Sequence, residues 1–264
     1  MNRIVCWFSC GAASAVATKL AIEENRRGAN LPLVVARIAI ADEHSDNDRF
    51  AAECEAWFGV PITTLTATKY TGGADVATLD EVARIERYMS GPAGASCTRV
   101  LKKEVRFSFE SQLDFQVFGY TAEEQDRVDR FIDSNSYVNL WPILIEKGLM
   151  KADCKAILER AGIALPAMYG LGFHNNNCIG CWKGGAGYWN KVRNVFPLVF
   201  QTRVQQSRAI GARLIKLGGV RMFLDELPLE AGDYPTETEI ECGIFCEMAE
   251  REISAMAATQ PSKE

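Results

Sequence analysis

Cys178 and Cys181 stand in the tetrapeptide CIGC, with KGG just beyond. Two thiolates three residues apart reach one metal when the turn between them is tight, and Gly180 permits that turn. The same spacing also serves a bare redox pair. Cys97 lies far upstream, at a turn-to-helix junction after GPAGAS, where a helix N-terminus with Lys102 and Lys103 favours a thiolate. Further on, ECGIFCE carries Cys242 and Cys246, each usable as a ligand or as a nucleophile. Cys178, Cys181, Cys242 and Cys246 together form a candidate zinc set. Cys6, Cys10, Cys54 and Cys154 read as small buried hydrophobes.

A second group of residues suits an anion. FSCGAASAVATKL follows directly on the apolar run RIVCWF. Small residues at Gly11, Ala12 and Ala13 admit a ligand to the unpaired N–H groups of a helix start, and Ser9 and Ser14 offer hydroxyls. Neither the Walker pattern nor the dinucleotide fingerprint is present, and on spacing alone the turn serves equally as a phosphate cradle or a plain corner. Asp42 and Glu43 end the second apolar run, where a carboxylate meets a ribose hydroxyl, a metal or only water. In GYTAEEQDR, Gly119 gives close approach and Arg127 is placed for a phosphate or sulfate. KGGAGYWNKVR mixes basic, aromatic and glycine residues, and reads as a packed aromatic loop before it reads as a contact for a nucleotide or single strand.

The elements that must hold these residues follow from periodicity. RIVCWFS, LPLVVARIAIA and PITTLTA read as strands, separated by the helices AASAVATKLAIEEN and NDRFAAECEAWFG. Such alternation implies parallel pairing with helical crossovers. Residues 69–96 read as irregular around one short helix. CTRVLKKEVRFSFESQ then reads as a helix, DFQVFGY as a strand, AEEQDRVDRFIDS as a helix, SYVNLWPIL as a strand and KADCKAILERAGI as a helix. From Pro166 the pattern passes into Gly- and Asn-rich loops, with helical stretches around 197–217 and 238–257. The expected division is an α/β core over 1–165 and a cysteine-bearing helical extension over 166–264.

The 264 residues suffice for one large α/β domain with such an extension. With 29 basic against 34 acidic residues the net charge is −5, which argues against a broad surface coating nucleic acid. No run approaches the ~18 apolar residues of a membrane span, and the N-terminal run suits a core strand better than a signal peptide. Nine cysteines, an odd number without an export signal, point to reduced thiols or a metal in a cytoplasmic protein rather than a disulfide framework. The oligomeric state is not legible.

SCGAASAV resembles the PP-loop of the adenine-nucleotide α-hydrolase superfamily, usually written SGGxDS, with Cys10 in place of a glycine and Ala13 in place of the acidic residue. More closely, most of the chain resembles the phosphoadenylyl sulfate reductase family, including phage and bacterial relatives. IADEHSDNDRF is similar to the acidic stretch after that family's second strand, CTRVLKK to its cysteine–lysine helix, LPAMYGLGFHNNNCIGC to its C-x-x-C segment and ECGIF to its carboxyl-terminal motif. The resemblance implies a PP-loop parallel sheet flanked by helices. It implies adenine-nucleotide binding around Ser9, Gly11, Ala12, Ser14, Asp42, Gly119 and Arg127. It pairs Cys97 with Cys178 and Cys181 as three ligands of a 4Fe–4S cluster with one open iron; Ser96 stands where iron–sulfur members carry an adjacent cysteine. Zinc remains the competing metal. The implied reaction is thiol-dependent reduction of an adenylated sulfate, with Cys242 as nucleophile and a thiol reductant protein as partner. Two alternatives stay open: an ATP-dependent sulfurtransferase with a nucleic-acid acceptor, and a non-catalytic nucleotide-binding or redox-sensing module.

Overall fold

The computed structural model describes residues 2–91, 94–237 and 240. The chain forms two compact units. The first takes residues up to Ala39, His44–Leu65 and Phe107–Asn176; the second takes Ile40–Glu43, Thr66–Arg106 and the chain from Asn177 on.

The first unit is built on a five-stranded, all-parallel sheet flanked by helices. From the N-terminus, β1 (Ile4–Trp7), α1 (Ala12–Arg27), β2 (Leu33–Ile38), α2 (Asp46–Phe58) and β3 (Ile62–Leu65) follow the expected alternation. After the chain has passed through α3 (Leu79–Glu86), the two-residue strands β4 (Ser90–Gly91) and β5 (Gly94–Ala95) and α4 (Glu104–Phe109), it returns to the sheet. There it forms β6 (Phe115–Val117), α5 (Gln125–Ser134), β7 (Asn139–Trp141) and the helices α6 (Ile143–Glu146), α7 (Lys151–Arg160) and α8 (Ala167–Gly170). The sheet order is β3-β2-β1-β6-β7, with Ile4 opposite Leu33 on one side and Phe115 on the other. Strand order therefore reverses at β1, and the crevice between the carboxyl ends of β1 and β6 is the topological switch point, where open α/β sheets bind ligands.

β1 is buried along its whole length, as a central parallel strand must be. Its inner face meets the small residues Ala12, Ala15, Val16 and Ala17 of α1, which let the helix lie close to the sheet, while Phe8 stacks on Phe50 and meets Phe58 edge-on. Cys6, Cys54 and Cys154 belong to this core. Desolvation lifts the Cys6 thiol far above its ordinary range and pushes Cys54 and Cys154 up to about 12, so all three stay protonated at neutral pH. The hydrophobe reading of these three holds.

In the second unit α9 (Ala186–Val195) packs against α10 (Pro197–Ile210), and the hairpin β8 (Ile215–Leu217) and β9 (Val220–Met222) follows. Two expectations change here. In the stretch KGGAGYWNKVR, only KGG precedes α9; Ala186–Arg193 form most of that helix rather than an aromatic loop. Its N-terminus has no cap of its own; the Glu237 carboxylate, fifty residues on, accepts the N–H groups of Gly187 at 2.5 Å and Tyr188 at 2.9 Å. The helix expected over 197–217 stops at Gly211, whose φ of +80° ends it, and the last residues pair as a strand. The helix expected over 238–257 lies almost wholly outside the described residues. No helix among the described residues is long and apolar enough to cross a membrane.

Candidate functional site

The turn after β1 lies at the switch point of the first unit. Cys10 has φ +56°, the left-handed region where a side chain costs about 1–2 kcal/mol and glycine costs nothing. A cysteine thus occupies a backbone conformation made for glycine. It is held there by burial, by Asn176 Nδ2, which donates to its carbonyl at 2.7 Å, and by the same amide's bond to Asn47 Oδ1 at 2.7 Å. The buried pair Asn47 and Asn176 escaped the sequence reading. Its only trace is the asparagine run ahead of CIGC.

Ser14 knits the turn internally. Its Oγ accepts from the Ser9 N–H and hydroxyl, both at 3.1 Å, and donates to the Gly11 carbonyl at 2.9 Å. Gly11 is the N-cap of α1 in extended backbone, with no side-chain cap. The Ala12 N–H points instead to the Tyr169 hydroxyl, at 3.4 Å, and Lys155 lies over the Tyr169 ring. Tyr169 is a further residue that sequence reasoning missed. Gly119 is required by close approach, as expected, but to the chain itself: a Cβ there would stand 2.5 Å from the Ser14 nitrogen. Arg127 binds Glu124 at 2.5 Å and lies over the Tyr120 ring. Ser9, Gly11, Ala12, Ser14 and Gly119 are therefore brought together.

Asp42 belongs to the second unit. Its carboxylate accepts the Leu79 N–H at the start of α3 at 2.7 Å and pairs with the buried Arg203, which also holds Asp80 at 2.6 Å. The structure places this carboxylate in an ion-pair network.

The second unit also gathers the cysteines. Cys97, Cys178 and Cys181, all buried, line one small cavity with Thr98, Lys102 and Trp182; Ile40 and Leu79 complete its wall. Two local structures bring them there. Thr98–Lys103 is a π-helix rather than the expected α-helix, and Glu104 N–H bonds the Arg99 carbonyl five residues back. One wide turn thus carries both Cys97–Thr98 and Lys102 to the cavity; such segments concentrate at functional sites. The CIGC turn depends on Gly180 at φ +72°, where a Cβ would also meet Val199 at 2.9 Å. Tyr188 spans the turn: its hydroxyl accepts the Cys181 N–H at 2.9 Å and donates to the Cys178 carbonyl at 3.2 Å. Burial, helped by the two neighbouring thiols, pushes this phenol well above its ordinary value, so it remains a neutral donor.

Two buried donors at the same cavity bear on what it holds. Trp182 is 1% exposed and Thr98 0%, and the indole Nε1 and the hydroxyl Oγ1 have no hydrogen-bond partner among the described residues. Leaving such groups unpaired costs about 1–3 kcal/mol each. No group of three His, Cys, Asp or Glu side chains among the described residues closes on a single metal ion. A 4Fe–4S cluster takes one cysteine at each iron, and its sulfides accept hydrogen bonds. Three thiols and two spare donors around one cavity fit that group. Cys242 and Cys246 lie outside the described residues, and with them the four-cysteine zinc set. Asn177, next to Cys178, donates to the carbonyl of Ile240 at 3.3 Å.

No protein-family model, curated protein or solved structure matches the chain.

Proposed function

We propose that this chain is an iron–sulfur enzyme of the PP-loop type that reduces an adenylated sulfate to sulfite with thiol electrons. The observation that carries the reading is the convergence of Cys97, Cys178 and Cys181 on one cavity that also holds two unpartnered donors. Three features support the nucleotide half. The turn lies at the switch point of a parallel sheet. The start of α1 has no side-chain cap. Cys10, which stands where the resembled motif usually carries glycine, has a positive φ of the kind glycine favours.

The Ser9–Ser14 turn binds the phosphate of the adenylate through backbone N–H groups. A 4Fe–4S cluster on the three cysteines would supply an iron with an open coordination position for a substrate sulfur or oxygen. Cys242 is the nucleophile: its thiolate electron pair forms a bond to the sulfate sulfur, the bond from that sulfur to the phosphate oxygen breaks, and AMP leaves. A dithiol reductant then attacks Cys242 Sγ. Sulfite departs with the electron pair of the S–S bond, and the second thiol of the reductant returns Cys242 to its thiol. The role of Cys242 rests on the likeness of ECGIF to the carboxyl-terminal motif of the reductases. Ala13, standing where the PP-loop acid is expected, favours adenylate binding over ATP cleavage.

A second reading, sulfur transfer to a nucleic-acid acceptor after ATP-dependent adenylation, is favoured by the three-cysteine count, which leaves a position for sulfide. One experiment separates the two. Anaerobic protein is given adenylyl sulfate or its 3′-phosphorylated form with a dithiol, and sulfite is measured; in parallel it is given ATP, sulfide and a nucleic-acid acceptor (total transfer RNA or DNA), and pyrophosphate and AMP are measured. Sulfite release supports the reductase. Pyrophosphate alone supports sulfur transfer. Nucleotide binding with neither product leaves the non-catalytic module.

A further inference from the structure

Trp182 and Thr98 line the cysteine cavity, and the indole N–H of the one and the hydroxyl of the other are buried with no hydrogen-bond partner among the described residues. The contrast with Trp189 is informative. It too is buried with an unpartnered Nε1, in the same unit, yet it does not line the cavity and meets Phe200 and Tyr188 edge-on. An unpartnered indole is therefore tolerated in this unit where aromatic packing surrounds it. At the cavity the two donors adjoin three sulfur ligands. Thr98 directly follows Cys97, and Trp182 directly follows Cys181, so each donor is fixed by the backbone of a ligand.

We propose that Trp182 and Thr98 are the hydrogen-bond donors to the sulfur atoms of the group held by Cys97, Cys178 and Cys181, and that they set its reduction potential. The inference rests on the cluster reading above. Reduction adds an electron to an already anionic assembly of thiolates and sulfides. Donors aimed at those sulfurs stabilise the more negative state and raise the potential. The rest of the cavity wall is Ile40, Leu79 and Lys102; the two apolar side chains offer no such stabilisation, and the Lys102 cation, unchanged in every variant below, adds a constant contribution of the same sign.

The test uses the full chain prepared anaerobically, with iron and acid-labile sulfide measured first and the midpoint then taken from a visible-spectrum titration with dithionite, which supplies one electron per cluster. Trp182→Phe and Thr98→Val remove the donors at nearly constant shape, Thr98→Ser restores the hydroxyl, and Trp189→Phe is the control. Circular dichroism melting shows which variants fold. The expected result is full iron content with a midpoint shifted to more negative potential in Trp182→Phe and in Thr98→Val, the wild-type midpoint in Thr98→Ser, and no shift in Trp189→Phe. A folded Trp182→Phe that loses iron while Trp189→Phe keeps it also supports the assignment. Iron present with midpoints unmoved in both donor variants overturns this inference and leaves the cluster reading intact. Absence of iron from the unmodified protein, or zinc in its place, overturns both.

Discussion

The Tyr188 hydroxyl accepts the backbone N–H of Cys181 at 2.9 Å while donating to the carbonyl at the other end of the CIGC turn. One buried side chain from α9 thus holds the shape of the turn that presents two of the three cavity thiols. Tyr188→Phe leaves the Cys181 N–H buried without this acceptor, at a cost of about 1–3 kcal/mol. The variant is expected to unfold at lower denaturant and, on the cluster reading proposed above, to lose iron faster to a chelator. Urea unfolding and iron release followed by absorbance check both.

Two glycines of the proposed nucleotide site give opposite expectations. At Gly11 the backbone is extended and an added Cβ meets only ordinary contacts, the nearest at 3.6 Å. Gly11→Ala should fold with near-wild-type stability and weaken adenylate binding severalfold, because the methyl stands beside the N–H groups of the α1 start. At Gly119 the added Cβ falls 2.5 Å from the Ser14 nitrogen, a backbone atom that cannot step aside. Gly119→Ala should destabilise by about 1–3 kcal/mol, as overpacking does. Thermal melts and calorimetric titration with adenylyl sulfate separate the two effects.

Asp46 ties the start of α2 to the helix that carries Tyr169: its carboxylate binds Arg49 at 2.6 and 2.8 Å and accepts the Ala167 N–H at 2.8 Å. The Arg49 hydrogen bonds, with help from Ala167, hold its carboxyl below the ordinary 3.8. A lowered folded-state value means that the ionised form stabilises the fold above the unfolded value, and that this contribution is lost as pH falls through the folded value. Asp46→Asn should therefore cost about 1–2 kcal/mol at neutral pH. The gap from wild type should narrow in melts below pH 3.8.

If Cys242 is the nucleophile, it must be ionised and accessible, whereas a ligand thiolate is shielded. Cys178 is 4% exposed. Limited iodoacetamide labelling of the metal-loaded protein, mapped by mass spectrometry, is expected to mark Cys242 before Cys178, with adenylyl sulfate protecting it. Labelling of Cys242 and Cys246 only after chelation would replace the reductase mechanism with the four-cysteine zinc site.

What the sequence determined by itself is the part that depends on neighbours along the chain. Alternating apolar runs placed all five strands of the parallel sheet, because a buried strand and an amphipathic helix each announce themselves within a dozen residues. The glycine inside CIGC announced its turn for the same reason, and φ +72° at Gly180 is what that turn requires. Local pattern failed where the partner is distant. α9 read as a loop because its cap, Glu237, lies fifty residues downstream. The π geometry of Thr98–Lys103 left no mark in an ordinary helical sequence. Asp42 was legible as a carboxylate at a strand end, but only packing brought Arg203 to it. The meeting of Cys97 with Cys178 and Cys181 was implied by resemblance and by nothing in their spacing. That meeting, and the two spare donors beside it, were decided by tertiary structure, since side chains far apart in sequence converge only where burial and close packing of whole elements place them.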